Sequence, residues 1–248
     1  MREPDTYLNT ELDPKLVQST EPMEWLCHKL EWGRVLRAWV PDGFERYVRV
    51  LHPAYTKVWK EQDVLAEVPV PWSAVSAWSG NPLHATSSIR DLRLRSDGLF
   101  WSQGEAGGSD PLEGQLGKTN LSDLLKLLVT ETTTPEEIWM LVWIGYGDLP
   151  NNIGYPVEIN SSLTGSGRKY VLLRASISSS LGELQGVALE HPPSFWWPAD
   201  HSWFVVCDID ASSTYVGGSD TLIGRILSSP DLETFPAELN DPYDGGSN

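Results

Sequence analysis

The stretch VLRAWVPDGFERYVRVL, residues 35–51, carries the reading on which the fold class turns. Two runs of alternating side chains, Val35–Val40 and Phe44–Leu51, flank the triplet Pro41-Asp42-Gly43. Proline sets φ for the first corner of a turn, and glycine accepts the left-handed backbone that closes it. The spacing predicts a β-hairpin, with Val35, Arg37 and Trp39 on one face and Leu36, Ala38 and Val40 on the other. A hairpin implies antiparallel pairing and sets the expectation for the rest of the chain.

Working outward, the apolar runs Ile138–Ile144 and Ser202–Ile209 read as buried strands, and Arg168–Ala175 as a third. Helices are predicted over Pro22–Leu30, over Pro71–Trp78 and behind the Thr119/Asn120 cap signal, where Leu121, Leu124, Leu125 and Leu128 recur at helical spacing. A further one follows the Ser219 cap, and Ser178–Val187 reads as a short helix or turn. Strands and helices do not alternate regularly, so a doubly wound parallel sheet is disfavoured. The expected fold is α+β: a mixed or largely antiparallel sheet with short helices packed on it, in a single domain spanning residues 21–236. Residues 1–20 read as a flexible arm and 237–248 as a disordered tail. The Gly-, Ser- and acid-rich segment 102–118 reads as a surface loop and the candidate internal boundary.

The 248 residues are 40% hydrophobic, enough for a sizeable core. Thirty-four acidic residues against 18 basic ones give a formal charge of −16. That field repels phosphate backbones and anionic membrane surfaces, so neither nucleic acid nor membrane is expected as a partner; a basic protein would be attracted. Cys27 and Cys207 sit in apolar runs and read as buried free thiols of a reducing compartment, with a disulfide between them as the alternative. The opening residues lack the apolar core of a secretory signal, and no run is long enough to span a bilayer. The expected location is the cytoplasm. The sequence holds no phosphate loop, dinucleotide fingerprint, nucleophile elbow or His-Glu-x-x-His, so no cofactor is expected.

Chemistry concentrates in residues 191–220, HPPSFWWPADHSWFVVCDIDASSTYVGGSD. Strand alternation would put Asp208 and Asp210 on one face about 7 Å apart, able to hold a divalent cation or to act as acid and base, with His201 or His191 completing a site. The plainer role for Asp210 is to open the Ala211-Ser212-Ser213 turn. Gly217-Gly218-Ser219-Asp220 reads as a flexible turn and helix cap with a secondary capacity for an anion. Adjacent Trp196 and Trp197 cannot both face inward from one side of a regular element, which leaves one as an exposed interface anchor. His52 and His84 read as structural hydrogen-bonders near element ends.

The segments Val40–Tyr55, Thr132–Gly147 and Trp196–Ser219, in that order, resemble a family of uncharacterised bacterial proteins of actinobacterial type. The resemblance covers roughly residues 35–235. It implies a cytoplasmic bacterial protein with one integrated domain, and it carries no activity or functional residue with it. The function expected is that of a non-enzymatic protein-binding module, inhibitor- or immunity-like, using an acidic surface and the aromatic loop Trp196, Trp197, Asp200 and Trp203. The alternative is a small-molecule or metal-dependent hydrolase centred on Asp208 and Asp210 with His201; a structural component with no discrete site is a third reading.

Overall fold

A computed structural model describes residues 17, 19–27, 34–60, 63–103, 107–146, 155–158, 168–177, 184–185 and 191–244. Its centre is a nine-stranded sheet. The strands are β1 (Arg46–Leu51), β4 (Ile138–Trp143), β5 (Tyr155–Glu158), β6 (Lys169–Ile177), β7 (Leu184–Gln185), β8 (Phe195–Pro198), β9 (Phe204–Val206), β10 (Ser213–Gly218) and β11 (Thr234–Ala237). They run in the order β11-β1-β10-β9-β8-β4-β6-β5, with β7 paired to β6. Every pairing is antiparallel. β2 (Ala54–Lys60) and β3 (Asp63–Val70) form a separate antiparallel ribbon. Short helices complete the domain: α1 (Glu24–Cys27), α2 (Trp72–Ser79), α3 (Ile89–Leu92), α4 (Lys118–Leu128) and α5 (Asp220–Leu227). The fold is α+β, as its sequence implies.

Alternation along the central strands feeds two cores, one on each face of the sheet. Trp139, Leu141, Phe195, Trp197 and Phe204 enter the first, which Met23, Leu26, Leu36, Trp39 and Tyr243 close from outside the sheet. Ile138, Met140, Val142, Trp196 and Val205 enter the second, roofed by Leu124, Leu125 and Leu128 of α4 and Leu222, Ile223 and Ile226 of α5. A third cluster joins Leu51 and Ala54 to Trp72 and Val75 of α2, Ile89 and Leu92 of α3, and Trp101.

The hairpin expected over residues 35–51 does not form, although Gly43 does take the positive φ, 100°, that the triplet suggested. Leu36–Ala38 is a single 3-10 turn, and β1 pairs with β10 and β11 instead. The N–H groups of Leu36 and Arg37 donate to the carbonyls of Asp241 and Leu239. Residues 35–40 therefore close the first core, and alternation alone could not say which strand β1 would join. The C-terminal segment expected to be disordered is also structured through Asp244. Tyr243 is buried and stacks on Trp39 with ring centroids 4.4 Å apart.

Gly217-Gly218, expected as a flexible turn, lies inside β10. A Cβ at Gly217 would stand 2.6 Å from Phe44, so the glycine is there for close ring packing. The loop over 107–118 is tied to the body: Gly114 N–H donates to Ala211 at 2.8 Å, and Leu116 is buried. Residues 1–16 of the expected arm and most of 178–187 lie outside the described residues.

Candidate functional site

Asp208 and Asp210 leave the end of β9 and do converge, but on a cation supplied by the chain itself. The two amino nitrogens of the Arg168 guanidinium donate separately, Nη1 to Asp208 and Nη2 to Asp210, the latter at 2.6 Å. The Asp208 side chain is wholly buried. Burial raises its pKa, and Arg168 works against that rise. Asp208 Oδ1 also accepts the Asp210 N–H at 3.2 Å, the turn-opening bond its position suggested. A carboxylate pair already clamped by a guanidinium has little free capacity for a metal. Among the described residues no group of three His, Cys, Asp or Glu side chains is placed to hold one.

His201 does not join that pair. It sits in the β8–β9 turn with φ 54°, stacked on Trp25 at 4.3 Å, whereas Asp208 follows the opposite end of β9. His191 stacks on Tyr146 at 3.9 Å. The acid–base constellation expected from Asp208, Asp210 and His201 is therefore not assembled.

A second buried ion pair lies nearby. Arg49, on β1, faces Asp244 at 3.3 Å, with 4% and 8% of the two side chains exposed. Its remaining donors reach Ser213 Oγ and the carbonyls of Ala85 and Ser87. Asp244 in turn accepts from Ser212 N–H and Ser213 Oγ. Sequence reading missed this pair because an arginine on a strand and an aspartate in a polar tail give no local signal. A cleft of about 280 Å³ opens beside it, lined by Arg90 and Arg93 of the α3 segment, Asp110, Glu113, Asp210 and Asp244. Arg93 is already paired with Asp110.

The fold also brings His52 and Cys207 together, with Sγ 3.7 Å from Nε2. The Leu112 carbonyl can only accept, so Nδ1 carries the proton it donates at 3.1 Å, and Nε2 accepts from Thr214 Oγ1 at 2.9 Å. Burial lowers the histidine to about 4 and raises the thiol to about 12. A nucleophilic pair needs the opposite ordering, thiolate beside imidazolium. The pair is a neutral structural contact.

The expected aromatic loop is core. Trp196, Trp197 and Trp203 are 2%, 0% and 0% exposed. β8 lies inside a sheet covered on both faces, so its two adjacent tryptophans point opposite ways and both are buried, Trp197 in the first core and Trp196 in the second. Asp200 is exposed but occupied in clamping a turn. Its carboxylate accepts Thr133 N–H at 2.6 Å and the hydroxyls of Thr132 and Thr133. Burial pushes that carboxyl up, but the Thr133 and Ser202 donors outweigh it and hold it near 2.

Exposed apolar surface appears elsewhere, on the β2–β3 ribbon. Its root, Ala54, is buried in the third cluster, yet β3 is exposed along all but its last residue. Leu65 is 67% exposed, Trp59 50%, Val64 45%, Val68 41% and Val58 40%. The register shifts between Val58 and Trp59, leaving Leu65 as a bulge residue without a cross-strand partner. The β2 edge is occupied near its root, where Tyr55 and Ser109 exchange backbone bonds of 3.0 and 2.9 Å. β3 pairs with β2 alone among the described residues. No helix among them is long and apolar enough to cross a membrane. Comparison with protein-family models, curated proteins and solved structures finds no match for this chain.

Proposed function

We propose that this protein is a non-enzymatic binding module, an acidic α+β domain that engages a protein partner through the β2–β3 ribbon, in the manner of an inhibitor or immunity-type protein. One observation carries the reading: Trp59, Val64, Leu65 and Val68 are all exposed on one two-stranded ribbon, whereas the other large apolar side chains among the described residues are mostly packed in three cores. Exposed apolar patches of this kind mark interaction surfaces, and a half-exposed tryptophan is a common anchor. The surplus of acidic over basic residues, 34 to 18, favours a partner with a basic face. Asp208 and Asp210 are held by Arg168, and His201 stacks on Trp25 away from them, so these three expected catalytic candidates give turnover no support. A cytoplasmic, bacterial setting fits the buried free thiol of Cys207.

The test is the double variant Leu65→Ser/Val68→Ser. Because both side chains are exposed, its midpoint of thermal unfolding should stay near that of the parent chain. A partner recovered from native lysate by the parent chain should be lost. Undiminished recovery of the same partner would overturn the proposal.

A further inference from the structure

We infer that the cleft beside the Arg49–Asp244 pair binds a small zwitterion of the amino-acid class, its ammonium end held by Asp244 and Glu113 and its carboxylate end by Arg90. No residue of the β2–β3 ribbon lines this cleft, and the inference does not rest on the binding-module reading.

Asp244 supplies the observation that points to a ligand. Its side chain is only 8% exposed, and it lines the cleft. Arg49 Nη2 at 3.3 Å, the Ser212 N–H at 3.1 Å and Ser213 Oγ at 2.8 Å all converge on one of its oxygens, Oδ2. Among the described residues no donor falls on Oδ1. A carboxylate oxygen on so nearly buried a side chain is costly to leave without a donor, and the cleft is the space from which one can come. That space measures about 280 Å³, at the lower end of small-molecule sites, which run from about 300 to 1,000 Å³. The occupant is therefore small.

The charges along the cleft choose its class. Asp244, Asp110 and Asp210 each have an arginine of this chain, Arg49, Arg93 and Arg168 respectively. Glu113 and Arg90 remain, both exposed and neither with a side-chain partner among the described residues. An uncommitted anion and an uncommitted cation in one cleft suit a ligand that carries both signs. A simple amine would leave Arg90 unmatched, and a simple carboxylate would meet the like charge of Glu113. An ammonium brings three donors to share between Asp244 Oδ1 and Glu113, and a guanidinium presents the fork that grips a carboxylate with two parallel bonds. Ile89 and Pro111, both buried, give the cleft an apolar wall for methylene groups.

The probes are glycine, β-alanine and γ-aminobutyrate, which set the two charges progressively further apart, with propylamine and propionate as single-charge controls. Each is titrated against the full chain and read by ligand-observed NMR. The expected result is saturable binding of at least one zwitterion, about tenfold or more tighter than either control and weakened by as much in Arg90→Gln and in Glu113→Gln. Both replaced side chains are exposed, so both variants should keep the parent unfolding midpoint. Leu65→Ser/Val68→Ser should bind the zwitterion as the parent chain does. Failure of all three zwitterions to saturate would overturn the inference. So would a control that binds as tightly as the best zwitterion, or parent affinity in either cleft variant, which would place the ligand elsewhere.

Discussion

Replacing Trp197 by alanine should destabilise the fold severely, and the size of the loss follows from its surroundings. The side chain is 0% exposed, between Phe204 at 5.9 Å and Trp25 at 6.0 Å. A tryptophan buries about 150–250 Å², or roughly 4–6 kcal/mol of transfer free energy, and measured truncations of this kind cost about 3–5 kcal/mol. Phenylalanine gives a sharper comparison. Among the described residues the buried Trp197 indole N–H has no hydrogen-bond partner, whereas the Trp203 indole donates to Leu128 O at 3.1 Å. Trp197→Phe loses ring area but relieves an unpaired donor costing about 1–3 kcal/mol, so it should fall within about 1 kcal/mol of the parent chain. Trp203→Phe loses similar area and a made bond, for a total of about 2–3 kcal/mol. Guanidinium unfolding followed by far-ultraviolet circular dichroism, with slopes held common, reads all three. A parent-like midpoint for Trp197→Ala, or equal losses for the two phenylalanine variants, would refute the reasoning.

Three further outcomes follow from the buried polar groups and one glycine. His52 titrates near 4 in the folded chain against about 6.5 when unfolded, so the unfolded state binds the extra proton between those values. Stability from this group is complete above pH 6.5 and is lost as pH falls towards 4, by up to about 3 kcal/mol; a pH series of unfolding free energies checks it, and His52→Gln should flatten that interval. Arg168→Met strands the buried Asp208 carboxylate and should cost about 3–5 kcal/mol, most of it recovered by adding Asp208→Asn; a stable single variant would contradict the ion-pair assignment. Gly114→Ala places a Cβ 2.9 Å from the Ile209 backbone at φ +67°, so calorimetry should show a loss beyond the 1–2 kcal/mol of a left-handed alanine alone.

Elements with strong local periodicity were legible in the sequence. Trp72–Ser79 ends on Gly80 at φ 78°, Lys118–Leu128 buries Leu124, Leu125 and Leu128 although it is entered from Gly117 and not from a Thr119 or Asn120 cap, and Ser219 caps its helix by accepting from Leu222 N–H at 3.0 Å. What was not legible depends on partners distant in the chain. β1 chose strands near residues 213 and 234 over the adjacent run at 35–40, a choice that alternation does not encode. The same limit governs the site. Asp208 and Asp210 are close as expected, but the cation between them comes from residue 168. Adjacent tryptophans signal exposure only if a sheet has one wet face, and the cores on both faces of β8 remove that premise. The ribbon escaped notice because Lys57, Glu67 and Pro69 break its apolar pattern.

The central claim is that the ribbon, and not the tryptophan-rich segment, meets the partner. A photoreactive benzophenone side chain placed at position 65, with position 136 on the exposed surface as control, tests it most directly after irradiation in native lysate. The expected result is one adduct of defined mass from position 65, absent from position 136. Equal labelling at both positions, or no adduct at 65 while the chain still recovers its partner, would contradict the claim.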